Sequence, residues 1–227
     1  MLKGPAMAGA ITRLLNKIPD PSLARLTLLE ELEKHLPDLE PGVTLDVGGS
    51  RAPYRHLVPH TKYLTLDVDP KKKPDLCCDL HDVKWESEYF DTIIATEVLE
   101  HLYDPKKAIG EIYRLLKPRG TVLLSTRFIH PIHGSPHDYY RFTAEGLAHL
   151  FSEFTDVEVI PLGNRILALW LLATHNHLRG KTKRLTLALM PVTRLIAKLK
   201  IDNTLMPLGY LVVARKGTEN GSAAARH

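Results

Sequence analysis

From Val43 to Thr126 the chain alternates short apolar, β-branched runs with amphipathic or turn-forming segments, and this rhythm restricts the fold more than any other feature. Runs at 43–47, 62–67, 75–78, 90–96 and 120–126 read as strands, 105–116 as a helix and 51–58 as a helix or turn. Parallel strands need a crossover long enough to hold a helix, so the alternation predicts a mostly parallel sheet covered on both faces. After a loop rich in His, Pro and Tyr, a helix is expected from about Thr143, which can cap it, and then a strand at 155–160. "LGYLVVARK" reads as a closing strand, antiparallel at the edge of an otherwise parallel sheet. The expected fold class is α/β, doubly wound.

Two N-terminal helices precede the first strand: Ile11, Leu14, Leu15 and Ile18 share one helical face, and Leu28, Leu29, Leu32 and Leu36 share another, with Pro19 and Pro21 between. Residues 164–200 interrupt the rhythm with a leucine-rich basic insertion. The expected organisation is one domain over 1–217 and a small, polar tail over 218–227.

A chain of 227 residues is long enough for one full α/β core. Its net charge of +4 is too mild to point to nucleic acid. The charge is unevenly placed, because eight basic residues and no acidic ones fall between Val159 and Ile201, leaving about −4 (4 minus 8) for the rest. Cys77 and Cys78 are adjacent and have no third partner, so they build neither a disulfide framework nor a zinc cluster; both are expected to end a buried strand. Lys3, Gly4, Pro5, Arg13 and Lys17 break up any apolar leader, and an intracellular, cytoplasmic location is expected.

In "TLDVGGSRAPY" a buried strand runs into a glycine turn. Gly48 and Gly49 allow unusual backbone angles and close approach of a ligand to the main chain. Ligands of open α/β sheets lie beyond the carboxyl ends of the strands, and Asp67, 21 positions after Asp46, ends the second strand where a carboxylate meets ribose hydroxyls. A dinucleotide would require G-x-G-x-x-G; here "GGSRAP" puts Arg51, Ala52 and Pro53 where a pyrophosphate needs the bare main chain, which argues against a dehydrogenase.

The ordered set "LDVGGS", "LTLDVD", "CCDL", "FDTIIATEVLEHL" and "LLKPRGTVLLSTR" resembles the class I S-adenosylmethionine-dependent methyltransferases over roughly residues 40–160 and the last strand. The resemblance implies a Rossmann-like fold with S-adenosylmethionine as cofactor. It places Asp46, Gly48, Gly49 and Ser50 against the methionine part, Asp67 and Val68 at the ribose, Asp79 and Leu80 at adenine, and Thr96, Glu97 and His101 at the sulfonium and the substrate. Ser50 stands where the family usually has a second glycine.

Methyl transfer from a sulfonium is an in-line displacement, and a hydroxyl acceptor must also lose a proton. The segment "STRFIHPIHGSPHDYYRFT" supplies His130, His133, His137, Asp138, Tyr139, Tyr140 and Arg141. Its "PHDYYRFT" resembles a sequence of a type 11-like methyltransferase subgroup with many small-molecule and sugar-modifying members. Histidine is the natural base near neutral pH, so His137 and His133, with Asp138, are the catalytic candidates. Glu97 and His101, four apart, share a face if "EVLEHL" is helical. Three loop histidines without a fixed scaffold do not define a metal site, and none is expected. Lys71, Lys72 and Lys73 read as a solvated turn.

The apolar run 166–173 is too short to cross a bilayer. Two helices are expected in 164–200, the second interrupted near Pro191, serving as a lid, as contact with an anionic membrane surface, or as a homodimer interface. The expected function is methyl transfer to a small-molecule acceptor, most simply O-methylation of a sugar, natural product or lipid-linked substrate. The alternative is a catalytically inactive cofactor-binding or docking module, for which Ser50 is the best support.

Overall fold

The computed structural model describes residues 23–49, 51–134, 137–174 and 205–218. Seven strands form one sheet: β1 (Gly42–Val47), β2 (His60–Asp67), β3 (Leu76–Cys77), β4 (Phe90–Thr96), β5 (Leu116–Arg127), β6 (Thr155–Leu162) and β7 (Gly209–Arg215), in the order β3-β2-β1-β4-β5-β7-β6. The first five pair in parallel. As expected, the last strand is antiparallel; it inserts between β5 and β6, so both pairings at that end of the sheet are antiparallel. The strand order reverses between β1 and β4, the position at which open α/β sheets bind ligands beyond the carboxyl ends of their strands.

Strand periodicity divides the core between the two faces. Ile93, Val122, Leu124 and Val212 face one way with α2 (Pro105–Leu115) and α3 (Ala144–Leu150), whose Ile109, Ile112 and Leu147 are buried with them, as is Phe151 just after α3. Ile94, Leu123 and Leu211, one position along, face the other way onto Leu28, Leu29 and Leu32 of α1 (Leu23–His35). Each large apolar side chain buried this way stabilises the fold by about 1.5–3 kcal/mol.

Local chemistry sets the boundaries. The Asp104 side chain accepts from the Lys107 N–H at 3.0 Å and Pro105 opens α2, while Pro118 keeps Lys117 from continuing it. The chain therefore passes straight from α2 into β5, which starts at Leu116 rather than at 120. Thr143 caps α3 as expected, accepting from the Gly146 N–H at 3.1 Å. Residues 51–58 form turns.

The first helix of the basic insertion is α4 (Arg165–Thr174), capped by Asn164, whose Oδ1 accepts from the Ile166 and Leu167 N–H groups, both at 3.1 Å. It buries Leu167, Ala168 and Leu171 against Ala24 and Leu208 and leaves Ile166, Leu169 and Leu172 exposed. Among the described residues no helix is long and apolar enough to cross a membrane. The first N-terminal helix, Ser50, the second insertion helix near Pro191 and the tail from 219 lie outside the described residues. One local expectation is corrected: Cys77 is exposed at the end of the two-residue β3, too short to bury both cysteines, and Cys78 is half-buried against the core.

Candidate functional site

The glycine turn is held from below. Asp46 is 0% exposed, and its Oδ2 accepts from the Tyr63 hydroxyl at 2.7 Å. A Cβ on Gly49 would fall 1.9 Å from the Asp46 Cγ, so the main chain lies directly on that carboxyl group. Gly48 has φ +72°, and a Cβ there would meet Val98 at 2.8 Å. Its N–H donates to the Leu66 carbonyl at 2.7 Å, tying the turn to β2. Asp46 thus supports the turn rather than facing a ligand. Burial pushes its carboxyl up to about 7, against the hydrogen bond from Tyr63 and the nearby charge of Arg25.

Asp67 ends β2 with its carboxylate engaged on both oxygens: Oδ1 accepts from the Asp69 N–H at 3.0 Å, and Oδ2 pairs with Lys72 at 2.9 Å. Lys72 is therefore a partner of the acid, not only part of a solvated turn. A carboxylate has about four lone-pair sites, so Asp67 can still accept from a diol. Val68 beside it is 61% exposed, an apolar surface at the rim. After β3, Asp79 accepts from the His81 main chain at 2.9 Å and from His81 Nδ1 at 2.6 Å, while His81 Nε2 sits at the Asp104 main chain, 3.1 Å from its carbonyl oxygen and 3.3 Å from its nitrogen. These bonds outweigh desolvation and hold Asp79 below the usual carboxylate range. The Leu80 side chain is in the core, so it offers a ligand only its main chain.

At the ends of β4 and β5 the site becomes a side-chain network. The Thr96 hydroxyl donates to Tyr54 at 3.4 Å. Glu97 has φ +58°, and only Leu99–His101 forms a helical turn, of the 3-10 type. Glu97 and His101 therefore do not share a helix face, contrary to expectation. The left-handed bend directs Glu97 to β5, where Ser125 Oγ donates to it at 2.9 Å and Arg127 pairs with it. Glu100 is 0% exposed; its Oε2 accepts from Thr126 at 3.0 Å, while Oε1 has no hydrogen-bond partner. Burial, then the charge of Glu97, pushes Glu100 up to about 8.

The histidine loop is anchored onto this network. Arg141 grips both oxygens of Asp138 and donates to the carbonyls of His130 and Pro131. The Tyr139 N–H donates to the Glu100 carbonyl at 2.8 Å, and the Tyr140 hydroxyl donates to the Tyr103 carbonyl at 3.0 Å. The loop thus has the fixed scaffold its Gly and Pro content argued against. Within it, the His133 N–H donates to Asp138 Oδ2 at 3.0 Å, and His133 Nδ1 lies 3.3 Å from the same oxygen. Arg141 holds Asp138 far below the usual carboxylate range. Burial lowers His133, and it brings His130 down to about 4, so both rings stay neutral at neutral pH. His137 is exposed; its carbonyl accepts from His101 Nδ1.

Of the residues expected to form the site, Gly48, Gly49, Asp67, Val68 and Asp79 lie at the ends of β1, β2 and β3 with Asp46 buried beneath the glycine turn, and Thr96, Glu97, His101, His133, His137 and Asp138 lie around the ends of β4 and β5. Sequence reasoning missed Glu100, Arg127, Ser125, Tyr63 and His81. Glu100 was hidden by the helical reading of "EVLEHL"; Arg127 offered a signal, as a charged residue closing an apolar strand.

Residues 50–124 match the family model described as a methyltransferase domain. Among solved structures the chain is similar to the cyclase SpnF, at 20% identity, 86% of this chain, 82% of that one and TM-score 0.54. It is similar to a phosphoethanolamine N-methyltransferase 2 of Haemonchus contortus bound to phosphomonomethylethanolamine and S-adenosylhomocysteine, at 20% identity, 84% of this chain and TM-score 0.54, and spans 52% of that chain. An S-adenosylmethionine-dependent methyltransferase from Archaeoglobus fulgidus is similar at 15% identity, 86% of this chain, 92% of that one and TM-score 0.52. These likenesses show a shared fold, one that also carries a cyclase. No curated protein matches the chain. The match makes residues 50–124 similar to a methyltransferase domain, and the solved structures add the shared Rossmann-like fold.

Proposed function

We propose that the protein transfers a methyl group from S-adenosylmethionine to a hydroxyl of a small-molecule acceptor, with a histidine of the 130–137 loop taking the proton. The observation that carries this reading is the anchored loop, which brings the neutral, half-buried His133 and its partner Asp138 onto the ends of β4 and β5. The first half of the rim fits the cofactor: a turn bare of Cβ atoms at Gly48 and Gly49, an acid at the end of β2 and the apolar surface of Val68 beside it. When bound, the cofactor supplies an electrophilic methyl group on a sulfonium. Asp67 accepts from ribose hydroxyls, Asp79 and the Leu80 main chain meet the base, and Thr96, Glu97 and His101 border the reacting end. His133 or His137 accepts the acceptor's proton, and the surrounding loop limits water.

Sugars, natural products and lipid-linked alcohols are the acceptors to screen, following the "PHDYYRFT" resemblance. Contact with a membrane surface through 164–200 is supported by the exposed Ile166, Leu169 and Leu172 opposite the buried face of α4.

Calorimetric titration with S-adenosylmethionine and S-adenosylhomocysteine tests the cofactor, with saturable binding of both expected. Folded protein that binds neither would overturn the reading and favour the docking module. With an acceptor in hand, His133→Ala and His137→Ala are compared: at least one should lower turnover by about 10²–10⁴-fold while cofactor binding persists. Full turnover in both would remove the loop histidines from the chemistry.

A further inference from the structure

Glu100, His101 and His133 each present a ligand atom within 4.8 Å of the others, two rings and a carboxylate drawn from two separate loops. Glu100 Oε1 is sealed from solvent without a hydrogen-bond partner and lies 3.9 Å from His133 Nε2. A buried carboxylate oxygen left unpaired is costly, and a cation is the partner that would satisfy it. His101 is already oriented as a ligand, its Nδ1 donating to the His137 carbonyl, and His133 Nδ1 lies 3.3 Å from Asp138 Oδ2 without a hydrogen bond, so each ring has Nε2 left to bind. The other oxygen of Glu100 is held by Thr126. Nearby charge leaves room for a cation, because Arg127 is matched by Glu97 and Arg141 by Asp138.

We propose that Glu100, His101 and His133 bind a divalent first-row transition cation through one carboxylate oxygen and two imidazole nitrogens, leaving coordination positions open towards the acceptor. Two nitrogens and one oxygen suit zinc, iron, cobalt or manganese; calcium and magnesium favour all-oxygen shells. Metal–ligand bonds of roughly 2.0–2.2 Å draw the three side chains inward on binding. With His133 committed to the cation, His137 is the loop histidine that remains to accept a proton, and an acceptor hydroxyl on the cation becomes easier to deprotonate.

The full chain, treated with chelator and then dialysed, is titrated with Co²⁺ while its visible absorption is followed, and with Zn²⁺ by calorimetry. One saturating equivalent per chain is expected for each. Glu100→Gln should weaken Co²⁺ binding at least 100-fold while S-adenosylhomocysteine binding and melting temperature are retained, and His101→Gln should weaken it as much with melting temperature retained. His137→Ala keeps the carbonyl that orients His101 and should leave Co²⁺ binding unchanged. Folded wild-type protein that binds neither Co²⁺ nor Zn²⁺, affinity undiminished in the Glu100 and His101 variants, or preference for Mg²⁺ over Co²⁺ would each overturn the site. Loss of cofactor binding with Co²⁺ binding intact would instead count against the proposed function.

Discussion

The two halves of the strand-end rim are built by different means. Along β1, β2 and β3 the site is made by the main chain and by acids at strand ends, with support from near neighbours: Asp46 under Gly49, Asp69 on Asp67, His81 on Asp79. Along β4 and β5 it is made by side chains that meet across long sequence separations, with Arg127 on Glu97, Thr126 and His133 around Glu100, and the His137 carbonyl on His101. The first design tolerates little change in backbone shape. The second depends on charges that balance only after folding, so one substitution can leave a buried charge alone.

The sharpest way to break the contrast is Arg127→Met. Its loss strands Glu97 in a largely buried position, and stability measured by urea denaturation should fall by roughly 3–5 kcal/mol. A loss below about 1 kcal/mol would mean the second half is not held by this pair.

Asp46→Asn probes the first half through pH. The folded carboxyl titrates at about 7 against 3.8 for the free group, so the unfolded chain releases its proton first. Wild-type stability should therefore fall as pH rises from about 4 to about 7 and level off above. The Asn variant lacks this loss and can still accept from Tyr63. Its advantage over wild type should grow across that window to on the order of 3–4 kcal/mol. Denaturation curves at pH 5 and 8 read the gap, and a gap independent of pH would show that Asp46 is not the titrating group.

Smaller effects sharpen the comparison. Asp67→Asn should reduce S-adenosylhomocysteine affinity about 10–100-fold, since hydrogen bonds to a charged acceptor contribute roughly 1.5–3 kcal/mol, with stability little changed. Unchanged affinity would move ribose recognition elsewhere. Lys72→Ala removes a partner that is 46% exposed and should alter stability by about 0–1 kcal/mol. A larger drop would mean that Lys72 holds the β2 end in shape.

What was legible followed from local rules. Strand alternation, the Thr143 cap and the Gly48–Gly49 turn depend on residues within a few positions of one another, where period, capping and the missing Cβ leave few choices. The misread positions depend on distant partners. Four-residue spacing suggested a shared face for Glu97 and His101, but bonding to Ser125 and Arg127 turns Glu97 left-handed, outside any helix. Adjacent cysteines suggested one buried strand end, whereas a two-residue edge strand leaves Cys77 exposed.

The sequence by itself determined the doubly wound sheet and the residues at the ends of its first strands, because side-chain period and glycine conformation act within single segments. Tertiary structure alone decided that the histidine loop is anchored, that Glu100 lies sealed among Thr126, His101 and His133, and that the last strand inserts inside the edge. Those outcomes depend on desolvation and charge balance among groups some 30 positions apart, which exist only once the ends of β4 and β5 are brought together.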